Sequence, residues 1–249
     1  MRVKAIVLVL FVVMVAGSVL GQSSTVITIG GNYWRGSSDF YMGDEEISKA
    51  ANMIGPYLSM RFGNITLGGS VFWGTWDLSD DFADEMGDAF DNVVVKDKRQ
   101  DMNFSLGYSI SKNLSIFGAY KSLKIENEIA FDVTGYYYNY YNGYWGYIDD
   151  SYDETTEETY KFMGGGASML FPFTNSPLFL YGSLSYLFAQ DEDIKDLFGY
   201  TFGAGMFSKS GLTLMVGYRA ETFKADDEIE GSEDWKINGI TATLAYTIR

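Results

Sequence analysis

From Thr25 onward the chain alternates apolar with polar or small residues at a period of two, segment after segment. That period belongs to strands, whose successive side chains face opposite ways. Ten such segments can be marked. The first, over about 25–35, sets Ile27, Ile29, Gly31 and Tyr33 on one face. The second (Leu58, Met60, Phe62) turns at Gly63-Asn64 into the third (Ile65, Leu67, Gly69, Val71, Trp73), and Gly-Asn between alternating runs is a strong hairpin signal. The fourth (Met102, Phe104, Leu106, Tyr108, Ile110) and fifth (Leu114, Ile116, Gly118, Tyr120) flank Ser111-Lys112-Asn113. The sixth (Tyr160, Phe162, Gly164, Gly166) and seventh (Leu178, Leu180, Leu184, Tyr186, Phe188) flank FPFTNSP. The eighth (Phe198, Tyr200, Phe202, Ala204, Met206) and ninth (Leu212, Leu214, Val216, Tyr218, Ala220) flank SKSG, and the tenth carries Ile240, Ala242, Leu244, Tyr246 and Ile248.

The spacing between segments alternates, with five longer polar inserts interleaved with four tight turns. This asymmetry predicts an all-β, up-and-down antiparallel barrel of ten strands with long loops at one end; eight would remain if the seventh and eighth segments were not strands. An even count brings both termini to the short-turn end, and the last strand is expected to pair with the first so that neither edge is left open.

The apolar face alone does not say whether lipid or a core covers it. The opposite face decides, because it carries residues such as Thr66, Ser70, Asn103, Ser105, Gly165, Ala167, Ser183, Thr201 and Thr243. A barrel with a water-facing exterior would spread Lys and Glu there, whereas small uncharged side chains suit a narrow lumen. Of the 33 acidic residues, all but Asp101 and Glu221 fall in the five inserts. Tyr33, Trp73, Tyr108, Tyr120, Tyr160, Tyr186 and Tyr218, near strand ends, are suited to the aromatic girdles of a membrane barrel.

The N-terminus supports export. Arg2 and Lys4 precede an apolar run from Ala5 to Ala16, then small residues up to Gly21, the form of a secretory signal peptide over 1–21 with the barrel over 22–249. The run is shorter than the roughly 20 residues that a spanning helix needs. The formal charge of −15 becomes two units more negative once Arg2 and Lys4 leave. Such a chain is unsuited to nucleic acid.

The leader, repeats of the type NLSIFGAYKSL and LTLMVGYRAE, and the final LAYTI together resemble the small outer-membrane β-barrel proteins of the OmpA-like and opacity-like group, without a peptidoglycan-binding domain. The resemblance implies residence in the cell outer membrane with both termini periplasmic, among outer-membrane lipid and lipopolysaccharide. Members of that wider group usually finish on an aromatic residue, whereas this chain ends Ile248-Arg249. The proteases, phospholipases and lipid A deacylases among such barrels rely on a histidine, and this chain has none. Ser-His and Asp-His mechanisms and His-ligated metals are therefore excluded, no spacing singles out another catalytic pair, and no cofactor is implied.

Three features remain as candidates. Strand parity points Asp101, Lys121, Lys161, Arg219 and Glu221 into the lumen, with Asn103 opposite Lys121 and Asp101 one diagonal step away. They form either a salt-bridged plug or a charged constriction that selects solutes, and ten strands leave little lumen for a wide pore. The third insert holds GYYYNYYNGYWGY, whose Tyr136, Tyr137, Tyr138, Tyr140, Tyr141, Tyr144, Trp145 and Tyr147 are either anchors for an extracellular ligand or surface or rings resting at the lipid boundary. DDEIEGSEDWKI, from Asp226, matches a calcium loop at Asp226, Glu228, Glu230 and Gly231 but has Ile237 where the bidentate Glu belongs. No metal site is assigned, and the acidic inserts are read as a solvated surface, loosely bridged by divalent cations to lipopolysaccharide phosphates. The expectation is a non-enzymatic structural or surface-interaction protein. The alternative is a narrow porin-like channel for small solutes or ions.

Overall fold

The computed structural model describes residues 25–42, 45–86, 90–139, 144–190, 194, 196–224 and 234–248. The proposed leader and the calcium-loop ligand positions Asp226, Glu228 and Glu230 lie outside them. Ten strands follow in order: β1 (Thr25–Met42), β2 (Glu45–Phe62), β3 (Ile65–Asp77), β4 (Phe90–Ser109), β5 (Leu114–Asn139), β6 (Tyr144–Pro172), β7 (Leu178–Ala189), β8 (Leu197–Phe207), β9 (Leu212–Lys224) and β10 (Asp234–Ile248). Each pairs antiparallel with its chain neighbours, and β1 pairs with β10 from Ile27↔Ile248 to Ser38↔Ile237, which closes the barrel. Closure gives the backbone groups of both edges a partner, the condition for a sheet to cross lipid.

By pairing, the segments expected to face outward do so on nine strands, although Met60 on β2 and Ala220 on β9 are themselves buried. Phe104, Leu106, Leu184, Phe202, Ile240 and Leu244 are all more than half exposed. Strand β6 is the exception. Phe162 is fully buried in the lumen while Lys161 is exposed and Met163, Met169 and Phe171 face out, the reverse of the sequence expectation for Tyr160, Phe162, Gly165, Ala167 and Lys161. The run Gly164–Gly166 has no side chains to reveal its faces. Pairing decides instead, because Lys121↔Phe162 and Tyr120↔Met163 fix β6 to the faces of β5.

The inserts also differ from expectation. Much of what hydropathy reads as loop continues as strand, so that β4, β5 and β6 reach 20, 26 and 29 residues. A barrel strand needs only about 9–11 residues to cross a membrane. Above the membrane both faces of such a ribbon meet water, and the apolar/polar alternation that betrays a strand disappears. The second insert contains an unexpected helix, α1 (Ser79–Met86). Asp77 sets its start by accepting from the Ser79 amide at 3.2 Å and hydroxyl at 2.6 Å, and Ser79 Oγ in turn accepts from the Val95 amide at 3.1 Å.

Candidate functional site

Inward-facing side chains divide the lumen into layers. Toward the tight turns, Ser70, Asn103, Ser105, Ser183, Ser185 and Thr201 line a cavity of about 250 Å³ whose roof is Lys121, Arg219 and Glu221. Their small size leaves the room that the ionic layer then closes.

That layer is a buried network. Arg99 donates through Nε to Asp101 Oδ1 at 2.6 Å and through Nη2 to Asp101 Oδ2 at 2.9 Å, and Nη2 also reaches Glu221 Oε2 at 2.9 Å. Lys121 Nζ bridges the same two carboxylates, at 2.8 Å from Asp101 Oδ2 and 2.5 Å from Glu221 Oε2. Arg219 Nη2 donates to Glu221 Oε1 at 2.6 Å. Its guanidinium also lies over two lumen rings, 4.5 Å from the Trp34 centroid and 4.8 Å from that of Phe72, a position in which a cation is attracted to the ring face. Each carboxylate therefore meets at least two cations, the geometry in which mutual attraction offsets desolvation.

Four of the five residues that parity points into the lumen meet in this network: Asp101, Lys121, Arg219 and Glu221. Lys161 does not join them, because β6 presents its opposite face. Arg99 replaces it, 3% exposed and at the centre of the network. Sequence reading passes over Arg99 because it adjoins the acidic insert, although stepping back by two from Asp101 along β4 would have found it.

Beyond the charges two apolar clusters pack the lumen. Trp34, Ala51, Met53, Phe72, Trp76 and Ile237 form one cluster, from β1, β2, β3 and β10. Leu123, Ile125, Phe162, Leu187, Leu197 and Phe223 form another, from β5 to β9, joined by Ile194. With Arg99 and Asp101 from β4, every strand sends a buried side chain into the same region of the barrel.

Asp97 lies outside the lipid-spanning part of β4, since the outward residues beside it are Lys96 and Lys98. Burial raises its carboxyl pKa to about 6, opposed by the charge of Arg99. Asp97 Oδ1 and Arg99 Nη1 have no hydrogen-bond partner among the described residues.

In the Tyr-rich insert the backbone pairs Gly135↔Ile148, Tyr136↔Tyr147, Tyr137↔Gly146, Tyr138↔Trp145 and Asn139↔Tyr144. Tyr140 and Tyr141 lie outside the described residues. Tyr147 is exposed, and the structure brings these residues to the far end of one hairpin, away from the ionic layer.

An apolar exterior around a lumen that holds a polar cavity and a buried ionic layer is not the arrangement of a barrel surrounded by water, and contiguous exposed apolar surface on this scale needs a lipid cover. The protein is an outer-membrane β-barrel. No protein-family model matches the chain, and no curated protein does. Among solved structures, it is similar to the outer membrane protease OmpT of Escherichia coli, with a TM-score of 0.46 and 11% identity over 90% of this chain and 96% of that one. It is also similar to Ail, the attachment invasion locus protein of Yersinia pestis (TM-score 0.38, 10% identity, 91% and 99% covered). A third similar structure is Neisserial surface protein A (TM-score 0.32, 10% identity, 90% and 97% covered). At these values the likenesses carry nothing about activity or ligand.

Proposed function

We propose that this outer-membrane barrel is a closed, non-enzymatic scaffold whose work is done by the strands that it holds above the membrane. The observation that carries this reading is the filled lumen, in which the ionic layer and the two apolar clusters draw on all ten strands. A conducting constriction needs its charges facing an open path, whereas here the cations and carboxylates face one another. The absence of histidine supports the same reading against the hydrolytic mechanisms known for such barrels.

The scaffold is built to project. On β5 the outward apolar residues end at Tyr120, and from Ser122 to Asn139 the strand continues paired with β6, about 60 Å of further strand at ~3.3 Å per residue. The ribbon is braced at its base by Lys98 with Glu126 and Glu128, at 3.0 and 2.5 Å, and by Lys124 with Glu157 at 2.7 Å. Farther out, Phe131 stacks on Tyr152 with centroids 5.1 Å apart. In this reading the termini are periplasmic, the ribbon is extracellular, and lipopolysaccharide surrounds its base.

Single-channel recording of the refolded protein in a planar bilayer tests the closed lumen. No steady conductance steps are expected, and steps whose ion selectivity reverses with Arg219→Glu would replace this reading with the channel. Replacing residues 126–158 by a tight turn is expected to leave the barrel folded and to abolish attachment to surfaces that the full chain binds.

A further inference from the structure

Strand β6 is paired on both sides only over part of its length. Its ladder with β5 runs without a register shift from Leu114↔Met169 to Asn139↔Tyr144. Its ladder with β7 begins only at Phe162↔Ala189. Among the described residues no strand pairs with the other edge of β6 before Phe162, and residues 147–159 are all exposed. An edge of this length is a template for a further strand, which folded proteins ordinarily cover or disrupt.

The groups on this edge have a fixed direction. In an antiparallel pair, the N–H and C=O of one residue point to the same side, and the side alternates along the strand. The Leu170 amide donates to Asn113 O at 2.9 Å, on the β5 side, whereas Lys161 O accepts from the Gln190 amide at 2.8 Å, on the β7 side. These two bonds, at opposite parity, agree. The unbroken register then turns the amides and carbonyls of Asp149, Ser151, Asp153, Thr155, Glu157 and Thr159 to the open edge, where the Ser151 amide donates to Asp150 Oδ1 at 2.9 Å and an added strand would have to displace that local bond.

The side chains select what can add there. Between Ile148 and Thr159 stand Asp149, Asp150, Asp153, Glu154, Glu157 and Glu158, with no basic residue. A second copy of this edge would set carboxylates opposite carboxylates, an unfavourable cross-strand pairing. A strand rich in Lys or Arg would instead place cations against them on both faces of the ribbon. We infer that the free edge of β6, over 149–159, binds an extended basic segment of another protein by strand addition. This rests on the surface-display reading above and names its partner class: main-chain hydrogen bonds hold the segment, and charge selects it.

The test uses the full barrel in lipid nanodiscs and a synthetic peptide alternating Lys with Thr and Val. A second version of the peptide carries N-methyl groups on every residue, which removes the donors of both edges and leaves the charge. Thr155→Pro deletes one outward amide of β6 without touching the bonds to β5, and proline is tolerated at such an edge position. Expected are saturable binding of the unmodified peptide, at least a tenfold loss with Thr155→Pro, and a similar loss with the N-methylated peptide. Asp153→Asn with Glu157→Gln should weaken binding and flatten its salt dependence. Binding indifferent to both Thr155→Pro and N-methylation would overturn strand addition while leaving display by the ribbon in place, and no binding of the basic peptide would overturn it as well. Ion conductance by the same nanodisc-derived protein in a planar bilayer would instead remove the closed-scaffold reading.

Discussion

Replacing Glu221 by glutamine probes the centre of the lumen. Glu221 accepts from Lys121 at 2.5 Å, Arg219 at 2.6 Å and Arg99 at 2.9 Å. With an effective dielectric constant of about 20, each such contact is worth roughly 6 kcal/mol of gross attraction. Desolvation offsets most of this, since each buried ion loses several kcal/mol of hydration. The change is nevertheless one-sided. Arg99 and Lys121 would be left with Asp101 alone and Arg219 would lose its carboxylate, and breaking one side of a buried network typically costs about 3–5 kcal/mol. Glutamine keeps the shape and one acceptor, so packing is preserved and the loss reports the charge together with the one acceptor that becomes a donor. Urea titration of the refolded protein in lipid vesicles, followed by tryptophan fluorescence and by heat-modifiable migration, would give the difference. Adding Arg219→Gln removes the newly unpaired cation, and a coupling of about 1–3 kcal/mol is expected between the two changes. A loss below about 1 kcal/mol for Glu221→Gln would refute the reasoning. It would mean that water from the cavity beneath solvates the layer, and that the charges do not form a dry plug.

Three further outcomes follow from the same structure. Lys121→Met should cost several kcal/mol because Asp101 and Glu221 both lose a buried partner, whereas Lys161→Met, on the outer face, should change urea stability by less than about 1 kcal/mol; equal losses would reinstate Lys161 in the lumen. Gly239→Ala places a Cβ 1.8 Å from the Arg35 carbonyl oxygen at the β1–β10 closure, so it should lower stability by more than about 2 kcal/mol and reduce the heat-modifiable fraction; unchanged migration would count against this seam. Asp97 has a folded-state pKa of about 6, above the ordinary 3.8, so the folded protein binds the extra proton and its stability relative to Asp97→Asn should fall as pH rises from about 4 to 6, by at most about 3 kcal/mol. A difference that does not vary with pH over that range would show that Asp97 is solvated.

The sequence by itself determined the class of fold, and the reason is the membrane. Between Leu114 and Tyr120, or Ile240 and Ile248, one face meets lipid and the other a narrow lumen, so each residue is forced to be apolar or small and the period of two is written plainly. Parity along β4, β5 and β9 likewise places Asp101, Lys121, Arg219 and Glu221 on the inner face from the sequence alone. Where a strand carries no contrast between its faces, the sequence is silent. At Gly164–Gly166 only the pairing with β5 orients the strand, which is why Lys161 and Phe162 exchange sides. Above the membrane, water on both faces of the β5–β6 ribbon erases the alternation, and only the ladder shows that the acidic insert is strand. The tertiary structure alone decided that Arg99 completes the ionic layer, that Trp34 and Phe72 lie beneath the guanidinium of Arg219, and that one edge of β6 is left open. Each of these depends on which strands become neighbours when the barrel closes, and that is a property of register around the ring, not of any one segment of the chain.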